Sequence, residues 1–534
     1  MTSPNTDIEN CSTPDIHVQS DERTFQAVHS VTKLVDEGVK KPVVNFQPDS
    51  SLSNAHSGDK EDIQPDSRPN IVFVLADDLG WHDVGYHDSV IKTPNIDQLA
   101  AEGVKLENYY VSSWCAPSRV NLMTGRYRIR TGLYGDVCDF MGIHETTLAD
   151  KLYEAGYYTA MVGKWHLSGF EHAECYPTHR GFQTFLGYHG GSQNYFTHRR
   201  GGPHAPYDFW ANDTSIAVKY EGQYSTMIFA DEAQRIIRQH NTKQPLFLYL
   251  SFQAVHVPLL VPPSYEDQYR SLIEDDKRRV YAAMASCMDE AIGNVTATLK
   301  EKGLWNNTVF IFSSARLNFK HDFCLDNGAT PTDGGSNWPL RGRKGLWYEG
   351  GIRAVGFVNS HLLSDHVTGT TNHELIHVTD WFPTLLRLAK ADLHGLKPLD
   401  GIDQWETISR GNVTNRKEVL LNFIPGDTNG VVNENHEGEA TADYFDTMPF
   451  SAIRVGDWKL LTGNSVIEGN WVKPVELGLR FIRPKKHGRV ELYNIKEDPK
   501  ERKNQANKNK EKLHELLRKL KHYSEQINTD VRMA

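Results

Sequence analysis

The sequence predicts an α/β fold: a mostly parallel sheet flanked by helices, followed by a smaller antiparallel sheet with a helix. Three observations carry this. From Asn70 onward, short apolar runs alternate with segments of helical period. Acids, bases and cations fall directly after those runs, where open α/β sheets place their ligands, beyond the carboxyl ends of the strands. After about Ile408 the pattern changes to hairpin-like pieces and one amphipathic helix.

Residues 1–68 are polar, rich in Asp, Ser, Asn and Pro, and show no sustained periodicity, so they predict a disordered leader. Ile71-Val-Phe-Val-Leu-Ala76 is the first strand and runs into Asp77-Asp78. Asn95 to Leu106 and Leu148 to Ala155 have helical period. Thr159–Val162, Leu246–Phe252 and Thr308–Phe312 read as buried strands. They lead, in turn, to Lys164 and His166, to His256, and to the Asp326-Asn327 region. Lys164 and His166 are two apart, which in extended backbone puts them on one face. Ser451 to Leu461 and Val490-Glu-Leu-Tyr493 read as strands of the second sheet. The final helix carries Leu513, Leu516, Leu517 and Leu520 on one face. The expected organisation is therefore a leader at 1–68, a main catalytic domain at 69–408 and a smaller subdomain at 409–534.

The chain has 534 residues, 39% hydrophobic, enough for a large core. Its net charge of −10 and isoelectric point of about 6.2 argue against a nucleic-acid surface. No apolar run is long enough to cross a bilayer. Six cysteines are too few for a disulfide scaffold. Cys138 and Cys175 are either a pair or two buried thiols, and Cys11, Cys287 and Cys324 have no evident partner. The first ten residues lack the basic and apolar regions of a secretory signal, yet Asn212, Asn294, Asn306 and Asn412 stand in N-x-S/T sequons.

The most informative segment is Cys115-Ala-Pro-Ser-Arg119, continued as Val-Asn-Leu-Met-Thr124-Gly125-Arg126. Pro117 suits a first helical turn and Gly125 a helix stop. A helix beginning at Cys115 aims free N–H groups and partial positive charge at its neighbourhood, which favours an anion.

C-x-P-S-R followed by L-x-T-G-R resembles the signature of the type I sulfatases, whose cysteine is oxidised to Cα-formylglycine in the endoplasmic reticulum. A second signature of that family stands at Gly156-Tyr-Tyr-Thr-Ala-Met-Val-Gly163-Lys164-Trp165-His166. Pro177-Thr-His-Arg-Gly-Phe and Trp338-Pro-Leu-Arg-Gly-Arg-Lys344 look most like the arylsulfatase B group. The resemblance runs from about Asn70 into the C-terminal region. It implies an alkaline-phosphatase-like fold, one Ca²⁺, a formylglycine-generating enzyme as maturation partner, and a lysosomal or secreted glycoprotein. In the resembled group a cysteine near Cys175 is bridged. The substrates it implies are aryl sulfates or sulfated sugars, such as 4-sulfated N-acetylgalactosamine in glycosaminoglycans.

Carboxylate and carbonyl oxygens select Ca²⁺ or Mg²⁺ over zinc. The expected ligands are Asp77, Asp78, Asp326 and Asn327, with the oxidised residue 115 completing the shell. The aldehyde would hydrate; one oxygen would attack sulfur and the other would later expel sulfate. Arg119 would hold the hydrated residue, Lys164 and Lys344 would bind sulfate, His166 would steer and deprotonate the nucleophile, and His256 would protonate the leaving oxygen. One departure stands out. The family's strand leads almost at once into Asp-Asn-Gly, whereas here Ala315 to Leu325 intervene before Asp326-Asn327-Gly328. Either a loop bulges out and returns Asp326 to the site, or two ligands are displaced, with Asp322 a poorer substitute. Displaced ligands would suit a catalytically impaired glycan-binding relative; a formylglycine phosphodiesterase is a further alternative within the same chemistry.

Overall fold

The structure is a computed structural model that describes residues 68–131, 138, 140–168, 172–202, 204–315, 333–424, 450–463, 469–478, 480–483 and 490–527. All belong to one compact unit, Gln64–Ala534. The expected leader, Cys11, Cys324, Asp322, Asp326 and Asn327 lie outside the described residues.

Ten strands form the main sheet, in the spatial order Thr371–Asn372, Val104–Leu106, Gly356–Asn359, Thr308–Ala315, Asn70–Asp77, Leu246–Ser251, Tyr158–Lys164, Thr184–Tyr188, Trp210–Ala211 and Thr214–Ser215. The five central strands, Thr308–Ala315 to Thr184–Tyr188, are mutually parallel. Gly356–Asn359 and the Trp210–Ser215 hairpin pair antiparallel on either side of them. The expected fold class is thus the observed one.

Alternation along each strand splits the core between two faces. Val72, Val74, Leu248, Leu250, Phe310 and Phe312 face the helices Ser225–Gln239 and Asp276–Glu301. Ile71, Phe73, Phe247, Tyr249, Val309 and Ile311 face the helices Cys115–Thr124 and Trp381–Leu388. Both faces are covered, so the strands read as continuous apolar runs rather than alternating ones.

One expected helix is shorter than its period suggested. The helix spans only Pro94–Ala101, and Val104–Leu106 is a short strand paired between Thr371–Asn372 and Gly356–Asn359. Gly103 turns the chain between them, in a space where a Cβ would meet the Val358 carbonyl oxygen at 2.3 Å. A three-residue strand after such a turn leaves no period of its own to detect.

The second sheet is antiparallel, ordered Glu418–Ile424, Phe450–Val455, Trp458–Thr462, Val490–Asn494. One face packs on the final helix, Lys510–Glu525, through Leu513, Leu516, Leu517 and Leu520. The other face, with Leu421, Ala452 and Leu461, packs on Tyr110, Leu346, Tyr348 and Ile352.

Candidate active site

Four adjacent parallel strands end on one side of the sheet, and three of them deliver expected residues that the structure describes. Thr308–Ala315, Asn70–Asp77, Leu246–Ser251 and Tyr158–Lys164 are neighbours in that order. Asp77 ends the second and Lys164 ends the fourth. The Lys164 ammonium donates to Asp77 Oδ2 at 2.6 Å, both side chains fully buried. Gly163 makes this approach possible. It has φ +104°, and a Cβ there would meet the Ser251 carbonyl oxygen at 1.9 Å. Only glycine satisfies both conditions.

The chain beyond Ser251 keeps hydrogen-bonding to the strand Asn70–Asp77. Asp77 N–H donates to Ala254 O at 2.9 Å and Val255 N–H to Asp77 O at 2.6 Å. This carries His256 past Asp78, with Nε2 at 3.7 Å from Asp78 Oδ2. Tyr195 OH donates to the His256 carbonyl at 2.7 Å, and Tyr281 OH to the Asp78 carbonyl at 2.9 Å. Lys344 arrives from a different loop and donates to Asp78 Oδ2 at 2.5 Å.

The helix Cys115–Thr124 begins and stops where expected. Trp114 enters extended, and Gly125, left-handed at φ +66°, donates its N–H to Asn121 O. All ten helical residues are buried. Cys115 Sγ is 2.7 Å from His166 Nδ1. His166 is not extended as its spacing with Lys164 suggested. Its φ is +55°, and Asp78 has φ +64°. Left-handed non-glycine residues persist only where their surroundings hold them, and both stand in this pocket.

Cys138 and Cys175 form a disulfide. Phe140, two residues past Cys138, packs edge-on against the His166 ring at 5.3 Å and lies against Cys115 and Ala116. Trp165, between Lys164 and His166, donates its indole N–H to the Cys175 carbonyl. The bridge therefore frames the Cys115–His166 pair. Cys115 and Cys287 are free and buried among the described residues.

Arg119 is buried one turn along the helix. It donates to Ser251 Oγ at 2.6 Å, to the Lys164 carbonyl at 2.9 Å and to Tyr249 OH at 3.3 Å, and its Nη2 is 3.6 Å from Asp77 Oδ1. The sequence reading missed Tyr249 and Ser251, although polar residues in an otherwise apolar buried strand were the available signal. It also missed Tyr195 and Tyr281, which leave no such mark.

Three cations, Arg119, Lys164 and Lys344, face two carboxylates. Burial raises the Asp77 carboxyl, but Lys164 and Arg119 outweigh it and hold the pKa below the ordinary value. Burial pushes Asp78 up to about 6, Lys344 opposing and Asp77 reinforcing the rise. Burial takes the Cys115 thiol up to about 12, His256 down to about 3 and His166 well below its ordinary value. Burial also lowers Lys164, against the pull of Asp77.

Among the described residues, no group of three or more His, Cys, Asp or Glu side chains forms a metal cage. Asp77 and Asp78 nevertheless fit part of a Ca²⁺ shell. They offer hard oxygens side by side, and Asp77 Oδ1 is buried without a hydrogen-bond partner among the described residues. The structure thus gathers Asp77, Asp78, Cys115, Arg119, Lys164, His166, His256 and Lys344. The other two expected ligands, Asp326 and Asn327, are outside the described residues.

Residues 69–391 match the sulfatase family model. The chain is 43% identical to arylsulfatase J of Mus musculus over 508 residues, which cover 92% of this chain and 80% of the mouse protein. It is 31% identical to N-acetylgalactosamine-6-sulfatase of Sus scrofa over 65% of this chain and 67% of the pig protein. It is 32% identical to human arylsulfatase A over 63% of this chain and 66% of that enzyme. The solved structure of Ps i-CgsB in complex with k-i-k-neocarrahexaose superposes with a TM-score of 0.69 at 27% identity, covering 86% of this chain and 94% of that one. A pocket that gathers cations and histidines around a helix-opening cysteine, on a chain matched by the family model over most of its main sheet, places this protein in the sulfatase family.

Proposed function

We propose that this sulfatase hydrolyses sulfate esters at residue 115, after conversion of Cys115 to Cα-formylglycine and with one Ca²⁺ held by Asp77 and Asp78. The observation that carries the reading is the contact of His166 Nδ1 with Cys115 Sγ at 2.7 Å, inside a buried ring of Arg119, Lys164 and Lys344. The sulfur stands in for the oxygen the converted residue would carry.

The chain's own groups divide the work. Lys164 and Lys344 supply positive charge for sulfate oxygens, and the protein interior strengthens that attraction. Arg119, bound to Ser251, Tyr249 and the Lys164 carbonyl, fixes Lys164 and faces Asp77. His166 holds or moves the proton at residue 115. His256, with Nδ1 engaged by the Val257 carbonyl, keeps Nε2 for the leaving oxygen. Asp326 and Asn327 are the further ligands we assign to the cation. When bound, Ca²⁺ supplies neutralisation of charge on sulfate and on residue 115.

Aryl sulfates and sulfated sugars, including 4-sulfated N-acetylgalactosamine in glycosaminoglycans, are the proposed substrates. One relative is named for N-acetylgalactosamine 6-sulfate and one structural neighbour was solved with a neocarrahexaose. The Cys138–Cys175 bridge and the exposure of the sequon asparagines Asn212, Asn294, Asn306 and Asn412 support a secretory route to the lysosome or the exterior. A formylglycine-generating enzyme would act on that route. Residues 69–408 are the proposed catalytic domain and 409–534 its companion.

Mass spectrometry of the Cys115 peptide from protein in its native source, paired with turnover of an aryl sulfate and a phosphate diester, tests the proposal. Formylglycine with preferred aryl sulfate turnover supports it. A retained thiol with glycan binding and no hydrolysis would replace it with a binding function, and dominant diesterase activity with a different hydrolase.

A further inference from the structure

The turn that carries Lys344 is held by the C-terminal sheet. It is closed on itself by Gly350 N–H donating to the Arg341 carbonyl at 2.7 Å. At its start, the Arg341 guanidinium is 1% exposed and stacks 3.8 Å from the Tyr348 ring centre. It donates to Tyr493 OH at 2.6 Å, to Glu491 at 3.1 Å and to the Gly469 carbonyl at 2.8 Å. Gly342 N–H donates to the Asn470 carbonyl at 2.9 Å. Each of these outside partners belongs to the C-terminal part of the chain.

At the end of the turn stands a buried charge triad. Lys459, from the strand Trp458–Thr462, donates to Glu349 at 2.9 Å and to Glu501 at 2.8 Å, and all three side chains are fully buried. Glu501 also accepts the Glu349 backbone N–H at 2.7 Å. Its φ is +53°, a conformation that a non-glycine residue keeps only when its surroundings impose it. Tyr110 OH takes the other Glu349 oxygen at 2.8 Å. On the side facing the pocket, Gly345 N–H donates to the Ser113 carbonyl at 3.2 Å, two residues before Cys115. Lys344 is thereby fixed between two anchors of the second sheet and one of the nucleophile helix.

We propose that the C-terminal sheet is a working part of the sulfate site: Arg341, and Lys459 acting through Glu349 and Glu501, are positioning residues that set where the Lys344 ammonium stands. The inference rests on the reading above in which Lys344 binds sulfate. Buried arginine and a buried acid–base–acid triad hold a turn more rigidly than apolar packing, because each charge loses heavily by moving off its partners. A displacement near 1 Å at a binding cation is enough to weaken recognition by about 10- to 100-fold.

The test uses the full-length, matured protein, an aryl sulfate as substrate and inorganic sulfate as competitive inhibitor, with melting temperature recorded for every variant. Lys344→Ala should raise KM and the sulfate inhibition constant together, by about 10- to 100-fold. Arg341→Lys keeps the charge but loses the planar fork and stack, and should raise both constants by about 10-fold while kcat changes less than about threefold. Glu501→Gln should raise both by about threefold, and carries the test should Arg341→Lys fail to accumulate. Leu516→Ala, in the final helix on the far face of the same sheet, is the control. It should lower the melting temperature and leave both constants unchanged. Unaltered constants in Arg341→Lys and Glu501→Gln, beside raised ones in Lys344→Ala, would overturn the inference alone. Constants raised equally by Leu516→Ala would reduce it to general stability. Unaltered constants in Lys344→Ala would overturn the sulfate role of Lys344 and the inference with it.

Discussion

The pocket and the Lys459 triad are both buried charge clusters, and they are built to opposite rules. In the triad, Lys459 reaches both Glu349 and Glu501, and each carboxylate has further donors in Tyr110 OH and the Glu349 N–H. In the pocket, Asp77 Oδ1 and the Nε and Nη2 atoms of Arg119 are buried without hydrogen-bond partners among the described residues. Saturated charges specify a geometry, whereas unsaturated ones are held ready for something that binds. Backbone strain alone does not separate the two, since Asp78 and His166 share positive φ with Glu501. The hydrogen-bond accounting does.

That contrast predicts a crossed result from one substitution in each cluster. Cys115→Ala should lower turnover of an aryl sulfate by about 10⁴-fold or more while the urea unfolding midpoint stays near wild type, because only a small buried side chain is lost. Lys459→Met should do the reverse in kind. It leaves two carboxylates buried without their cation, and should cost about 3–5 kcal/mol in urea unfolding. Unfolding of Cys115→Ala, or an unchanged midpoint in Lys459→Met, would erase the distinction.

The clusters also differ in how legible they were. The pocket was readable because three strands of the apolar series are followed within a few residues by their reactive groups, as in Ala76-Asp77-Asp78 and Gly163-Lys164-Trp165-His166. Parallel strands bring such ends together by topology alone, and the motifs named the partners. The triad joins residues 349, 459 and 501, which share no motif and are brought together only by packing of the second sheet on Tyr110 and the segment 346–352. Spacing misled at His166, where a left-handed residue rather than strand alternation aims the ring. It misled again at Val104–Leu106, a three-residue strand hidden at the end of a helical period.

A smaller effect sharpens the unsaturated side of the comparison. Should Asp77 and Asp78 hold a cation, millimolar CaCl₂ should raise the melting temperature of chelator-treated protein. Binding at a hundred times the dissociation constant adds about 2.7 kcal/mol to stability. Asp77→Asn should lose most of that shift, in an assay that needs no turnover. An equal shift in Asp77→Asn would place the binding elsewhere and leave the orphaned oxygen unexplained.

The smallest effect tests the saturated side. Burial, reinforced by Glu349 and opposed by Lys459 and Arg341, raises the Glu501 carboxyl from 4.5 to about 7. Between those values the folded protein keeps a proton that the unfolded chain has released. The stabilisation from Glu501 is therefore whole below about pH 4.5 and is lost as pH rises through about 7. Glu349 works the other way. Burial would raise it, yet Lys459, Arg353 and Arg454 hold it below its ordinary value, so its contribution fades only on acidification below 4.5. The ring also contains Glu491, Tyr348, Tyr493 and Tyr110. The unfolding free energy should then fall by about 1–3 kcal/mol between pH 5 and pH 8, and Glu501→Gln should flatten that slope. A slope that survives Glu501→Gln would mean that the triad shares its proton among other members of the ring, and that its saturation is less complete than its hydrogen bonds imply.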